Sequence, residues 1–227
     1  VHTHSVRAIA LAIREDAEQR LAERLDGLAW AWIPYRKPGL PLTSLVAERT
    51  TGRPTDVLVL GNHGLVVGGA STEAAADLLL DVERRLDGMA QPLPPGDPVR
   101  LANAASGTGL RPARHALAHG LAMDPGLIER AGRGSLYPDH VIFLGPATTV
   151  FGEPHGASKL VLVPDAGVLL TSDTTASADE LALGLALVLQ RVPPEARLRY
   201  LTPEDEAELL DWDAEKYRQA LAGTRST

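Results

Sequence analysis

The stretch DVLVLGNHGLVVGGASTEAAADLLLDVERRL, residues 56–86, constrains the fold of this chain more than any other. Asp56 to Leu60 is a short apolar run rich in β-branched side chains, which reads as a buried strand. GNHG breaks it as a turn, and LVVGG starts a second strand. From Ser71 to Leu86 the period changes. Ala74, Leu78, Leu79, Val82 and Leu86 share one helical face, so an amphipathic helix follows the strand pair. A chain built this way has a sheet with helices packed on it.

The segments around this unit fit the same architecture. Val6, Ile9, Ala10, Ile13, Ala17, Leu21 and Leu25 recur at three- and four-residue spacing and predict one helix, with Ser5 as its cap and Gly27 at its end. WAWIPYRKPG reads as an extended piece leading into a loop, and Leu42 to Arg49 as a further helix. Residues 91–98 hold several prolines and no apolar period, which makes them a linker. They divide the chain into a first domain, 1–90, and a C-terminal region, 99–227. In that region short helices are expected at Arg114–Leu121 and Pro125–Ala131, and a strand at HVIFLG. A hairpin is expected where Pro164-Asp165-Ala166 joins KLVLV to GVLLT. A helix through Leu189 is expected behind a Ser177/Glu180 capping box, and a last helix opens at Thr202-Pro203 and carries Trp212, Tyr217 and Arg218 as docking residues. The fold class is mixed α/β in two parts.

With 227 residues the chain is long enough to bury a core. Its formal net charge of −7, with no basic stripe, argues against nucleic acid or an anionic membrane as a partner. No apolar run is long enough for a membrane span and no signal peptide opens the chain, so a cytoplasmic location is expected. Cysteine is absent, so any metal must be held by histidine and carboxylate.

That limit draws attention to VHTHS, residues 1–5. On a strand, His2 and His4 place both imidazoles on one face, roughly 7 Å apart along the chain. His63, in the Gly-flanked turn after the first apolar strand, is the natural third ligand. Three neutral imidazoles leave a divalent ion open positions, the pattern of a catalytic zinc site. The spacing alone also suits an ordinary surface or packing pair. His115 and His119 share a helix face, but the glutamate of an HExxH site is missing. His140 and His155 read as turn and strand-edge residues, with Asp139 placed to orient His140. Gly68-Gly69 lacks the spacing of a dinucleotide fingerprint. Glu73 reads as a first-turn helix carboxylate.

The order HTHS, PYRKPG, DVLVLGNHGLVVGGASTEAA and helix resembles the class II aldolase/adducin family over residues 1 to about 88. SLYPDHVIFLGP and LLDWDAEKYRQAL resemble the C-terminal part of long members, similar to the aldolase portion of rhamnose-utilisation-type predicted aldolase/dehydrogenases. The resemblance implies a three-layer α/β/α fold with a mostly antiparallel sheet, plus a smaller C-terminal α/β region. It implies Zn2+, or another divalent metal, on His2, His4 and His63. The implied reaction is zinc-dependent aldol cleavage or condensation of a sugar or sugar phosphate, in a homo-oligomer. Tyr35, in PYRKPG, aligns with a family tyrosine that protonates the departing aldehyde; as a residue it fits equally an aromatic that holds a loop. Epimerases, dehydratases and decarboxylases share the scaffold, and adducin-like members use it as a non-catalytic interaction module. In the family the acid/base, usually a glutamate, lies well before the HxH pair. Here Val1 stands immediately before His2, so the expectation is a truncated form lacking that group.

Overall fold

The computed structural model describes residues 1–154 and 156–211. His155, Trp212, Tyr217 and Arg218 therefore lie outside the described residues. The chain forms two compact units, Val1–Met89 with Arg191–Arg199, and Ala90–Gln190 with Tyr200–Thr227. Both are mixed α/β, each with a four-stranded sheet, in agreement with the expected fold class.

In the first unit the strands are β1 (His2–Thr3), β2 (Trp30–Ile33), β3 (Val57–Leu60) and β4 (Gly64–Val67), in the order β1-β4-β3-β2. β4 is antiparallel to β1 and β3, and β2 is parallel to β3. The VLVL run sits centrally because it is apolar on both faces. Its partner rows are clear from the register: Trp32, Val59, Leu65 and Thr3 form one line across the sheet, and Ala31, Leu58, Val66 and His2 form the next. The first row faces a core shared with α1 (Val6–Ala12), α2 (Ala17–Arg24) and α4 (Thr72–Leu86), where Ala8, Leu21, Leu25, Val82 and Leu86 are buried. His2 belongs to the row on the opposite face. The expected cap of α1 is present, with Ser5 Oγ accepting from the Ala8 N–H at 3.1 Å. Ser71 caps α4 in the same manner. α3 (Leu40–Thr50) packs on β2.

The single helix expected from Val6 to Leu25 is two helices. Between them, Arg14 bridges to Leu198, the Glu15 N–H donates to the Arg197 carbonyl, and the Arg199 N–H donates to the Ile13 carbonyl. Backbone groups that a continuous helix would satisfy internally are satisfied by residues 197–199 instead. Asp16 holds Arg14 with bonds of 2.7 and 2.8 Å, and the buried guanidinium keeps its partner carboxyl down at about 2.

In the second unit the sheet runs β5-β8-β7-β6, from β5 (Leu110–Pro112), β6 (Thr149–Val150), β7 (Leu160–Val163) and β8 (Gly167–Thr171). β7 and β8 form the expected hairpin, and Asp165 takes the left-handed turn position with φ 55°. The helices are α5 (Pro98–Ala105), α6 (Pro125–Gly132), α7 (Ala176–Leu189) and α8 (Pro203–Leu210). Asp97 and Asp124 cap α5 and α6. Expected as the smaller part, this unit holds the larger share of the residues.

Three local expectations change here. Arg114–Leu121 is a 3-10 helix over Ala116–Ala122. HVIFLG is a π-helical turn, His140–Leu144, packed on α7 and α8, and not a strand. Its apolar residues are buried on all sides, so the run has no period to separate strand from helix. α7 starts behind Thr175, which puts Ser177 inside the first turn and removes its role as a cap. No described helix is long and apolar enough to cross a membrane.

Candidate metal centre

The parallel pair β2/β3 and the edge strand β1 all run toward the same end of the first sheet, and the site forms there. Past β3 the chain turns through Gly61, Asn62 and His63 before re-entering as β4. Asn62 is wholly buried and left-handed, φ 52°, and its Nδ2 donates to the Arg199 carbonyl at 2.8 Å. An asparagine tolerates that backbone region where most residues do not. The anchored turn delivers His63 to the histidines of β1.

His2, His4 and His63 offer nitrogen atoms that all lie within 4.8 Å of one another. Their rings meet edge to face, with centroids 5.0, 5.1 and 5.2 Å apart. His2 and His4 are exposed and His63 is half-buried, so the group opens to solvent. His2 Nδ1 lies 3.1 Å from the Leu65 carbonyl oxygen. A carbonyl only accepts, so Nδ1 carries the hydrogen and Nε2 is left as the ligand atom.

The donor set fits a divalent ion. In a tetrahedral zinc site with bonds of ~2.0–2.1 Å the ligand nitrogens stand about 3.4 Å apart. Among the described residues no aspartate or glutamate joins the three imidazoles.

Tyr35 lies just beyond β2, at the same end of the sheet, with its hydroxyl shielded from solvent. The loops after β2 and β3 touch: a Cβ on Gly61 would stand 2.8 Å from the Tyr35 backbone nitrogen. Sequence reasoning singled out the glycines beside His63 but missed two groups that shape this end, Asn62 and the Leu65 carbonyl. The only sequence signal for them is the N-H-G turn itself.

The other histidines are engaged elsewhere. His115 Nε2 is 2.8 Å from Glu180 Oε1, and His119 Nδ1 accepts from the Val168 N–H at 3.2 Å. The two do not form a metal group. His140 is fully buried in the second unit, against the Tyr137 ring, at the start of the π-helical segment. Glu73 sits in the first turn of α4, where backbone N–H groups lower its carboxyl.

The sheet thus gathers three imidazoles at the end of its strands, a donor set that suits a divalent ion. Residues 1–87 match the family described as Class II Aldolase and Adducin N-terminal domain, and the resemblance read from the sequence holds over that span. Over 73 residues the chain is 32% identical to the uncharacterized oxidoreductase YuxG of Bacillus subtilis (strain 168). The matched part is 32% of this chain and 10% of that protein, so the chain spans about a tenth of the relative's length. No solved structure matches the chain.

Proposed function

We propose that this chain carries the metal centre of a zinc-dependent class II aldolase acting on a sugar or sugar phosphate. The convergence of His2, His4 and His63, within a segment that matches the family, carries this reading. The bound ion would supply Lewis-acid stabilisation for the negative charge that develops as the carbon–carbon bond breaks. The protein's part is to orient. The Leu65 carbonyl fixes the His2 tautomer, the Asn62 turn sets His63, and His4 completes the triangle. Tyr35 is the proposed proton donor to the departing aldehyde, supported by its place at the same sheet end. The reaction also needs a carboxylate beside the imidazoles, and none of the described residues supplies one.

The same reading takes the protein to be a cytoplasmic homo-oligomer. The oligomer is supported by α3, which has no fully buried residue although it carries Leu40, Leu42, Leu45 and Val46; Leu40 is 78% exposed.

Elemental analysis of the purified chain beside His63→Ala tests the centre. About one zinc per chain, lost in the variant, is expected. No metal in either protein, or equal metal in both, overturns it. Turnover of dihydroxyacetone phosphate with an aldehyde then tests the reaction separately.

A further inference from the structure

We propose that a second cleft in the first unit, at the outer edge of β2, binds a small hydroxylated organic oxyanion, such as a sugar acid or a sugar phosphate. The cleft has a volume of about 180 Å³ and is lined by Glu18, Trp30, Ala31, Trp32, Arg49 and Arg53. It is separate from the histidines. Arg53 precedes β3 and His63 follows it, so the strand's four residues, ~13 Å of chain, lie between them. Trp32 belongs to the core-facing row, whereas His2 belongs to the opposite one.

The arginines are the first argument. Guanidiniums at a helix C-terminus ordinarily find the last carbonyls or a carboxylate. At the end of α3 two of the carbonyls are taken by threonines, Thr50 Oγ1 donating to Val46 O at 2.8 Å and Thr51 Oγ1 to Ala47 O at 2.6 Å, and the Thr50 carbonyl accepts from the Arg53 backbone N–H. Among the described residues neither Arg49 nor Arg53 has an ion-pair partner, and both line the cavity. Two planar cations that line one cavity with no ion pair among the described residues, in a chain of net charge −7, suit a carboxylate or phosphate.

The remaining lining sets the rest of the ligand. The Gly61 N–H donates to the Ile33 carbonyl and the Val57 N–H to the Ala29 carbonyl, so alternate residues of β2 turn their backbone to β3. The peptide groups of Trp30 and Trp32 point the other way, to the open edge. Trp30 is half-buried and offers an apolar indole face to C–H groups. Glu18, across the cleft on α2, accepts hydrogen bonds and repels a bare anion. Oxyanion, hydroxyls and a C–H face together describe a charged polyol.

Titration of the full chain with gluconate, glucose 6-phosphate, inorganic phosphate and glucose tests this assignment. Tryptophan emission is a direct readout, since two of the three tryptophans line the cleft. Saturable binding of gluconate or glucose 6-phosphate is expected, with at least about tenfold weakening in Arg49→Gln/Arg53→Gln. The charge-matched variant Arg84→Gln/Arg197→Gln should bind as the parent does, because those side chains are 77% and 83% exposed and lie outside the cleft. Glu18→Gln should close the gap between the hexose ester and inorganic phosphate. Whichever organic anion binds identifies the source. The proposal falls if neither binds, if the arginine variant binds as tightly as the parent, or if inorganic phosphate or glucose binds as tightly as the charged sugars.

Discussion

Gly64 and Thr3 stand so close that a Cβ on the glycine would lie 2.5 Å from the Thr3 carbonyl oxygen and 3.4 Å from His4 Cα. This contact lets β1 lie against the start of β4 and brings His4 beside His63. No flexible side chain can yield there, because the obstructing atom is backbone. Gly64→Ala is expected to cost about 1–3 kcal/mol in urea unfolding, the range for overpacking a close contact. It should also lower zinc content, since β1 must move. Unchanged stability and metal content would show that β1 is not held as described.

Asn62 serves the same end from the other side. Asn62→Ala removes the bond to the Arg199 carbonyl and puts a side chain that resists left-handed backbone at φ 52°. The expected loss is about 2–4 kcal/mol, and Asn62→Gly should recover roughly 1 kcal/mol of it by relieving the backbone alone. Equal losses in the two variants would place the whole effect in the hydrogen bond.

Much of this end of the sheet was legible in the sequence, because its determinants are local. A two-residue period on a strand sets His2 and His4 on one face, and a glycine-flanked turn between two apolar runs returns His63 toward them. The break between α1 and α2 was not legible. It depends on residues 197–199, far along the chain, which satisfy backbone groups around Arg14. HVIFLG failed for a different reason. A run buried on every side carries no period, and its neighbours α7 and α8 decide its form. The cleft at β2 was hidden because it is assembled from α2, β2 and the end of α3, segments that only the tertiary fold brings together.

In the second unit, Asp179 is 1% exposed and receives both arms of Arg111, at 3.0 and 2.8 Å, and the Arg114 N–H at 2.8 Å. Burial pushes its carboxyl up, but these bonds outweigh it and hold the carboxyl below its ordinary value. Its stabilisation is therefore present above the unfolded carboxylate range and is lost as pH falls through the depressed folded value. Arg111→Met should cost about 3–5 kcal/mol by stranding a buried charge. Arg111→Met/Asp179→Leu should recover most of that loss. A double variant as unstable as the single one would mean that Arg111 acts through packing and not through its charge.

His140 makes stability depend on pH where an unperturbed histidine would not. It is wholly buried beside Tyr137, with ring centroids 5.9 Å apart, and Asp139 is its chain neighbour. Burial pulls its imidazole down to about 4, only partly offset by the Ala147 carbonyl. Burial pulls the half-buried His119 down as well, and it raises the Tyr137 hydroxyl beyond its ordinary range, with Asp139 adding to that rise. Between pH ~6.5 and about 4 the unfolded chain binds a proton at residue 140 that the folded protein does not. Stability is complete above that window, declines as pH falls through it, and loses up to roughly 3 kcal/mol from this residue at the lower end. Urea midpoints taken from pH 7 to pH 4.5 should fall for the parent, and less steeply for His140→Gln. Parallel slopes in the two proteins would assign the acid sensitivity of this window to His119, and would remove His140 from the account.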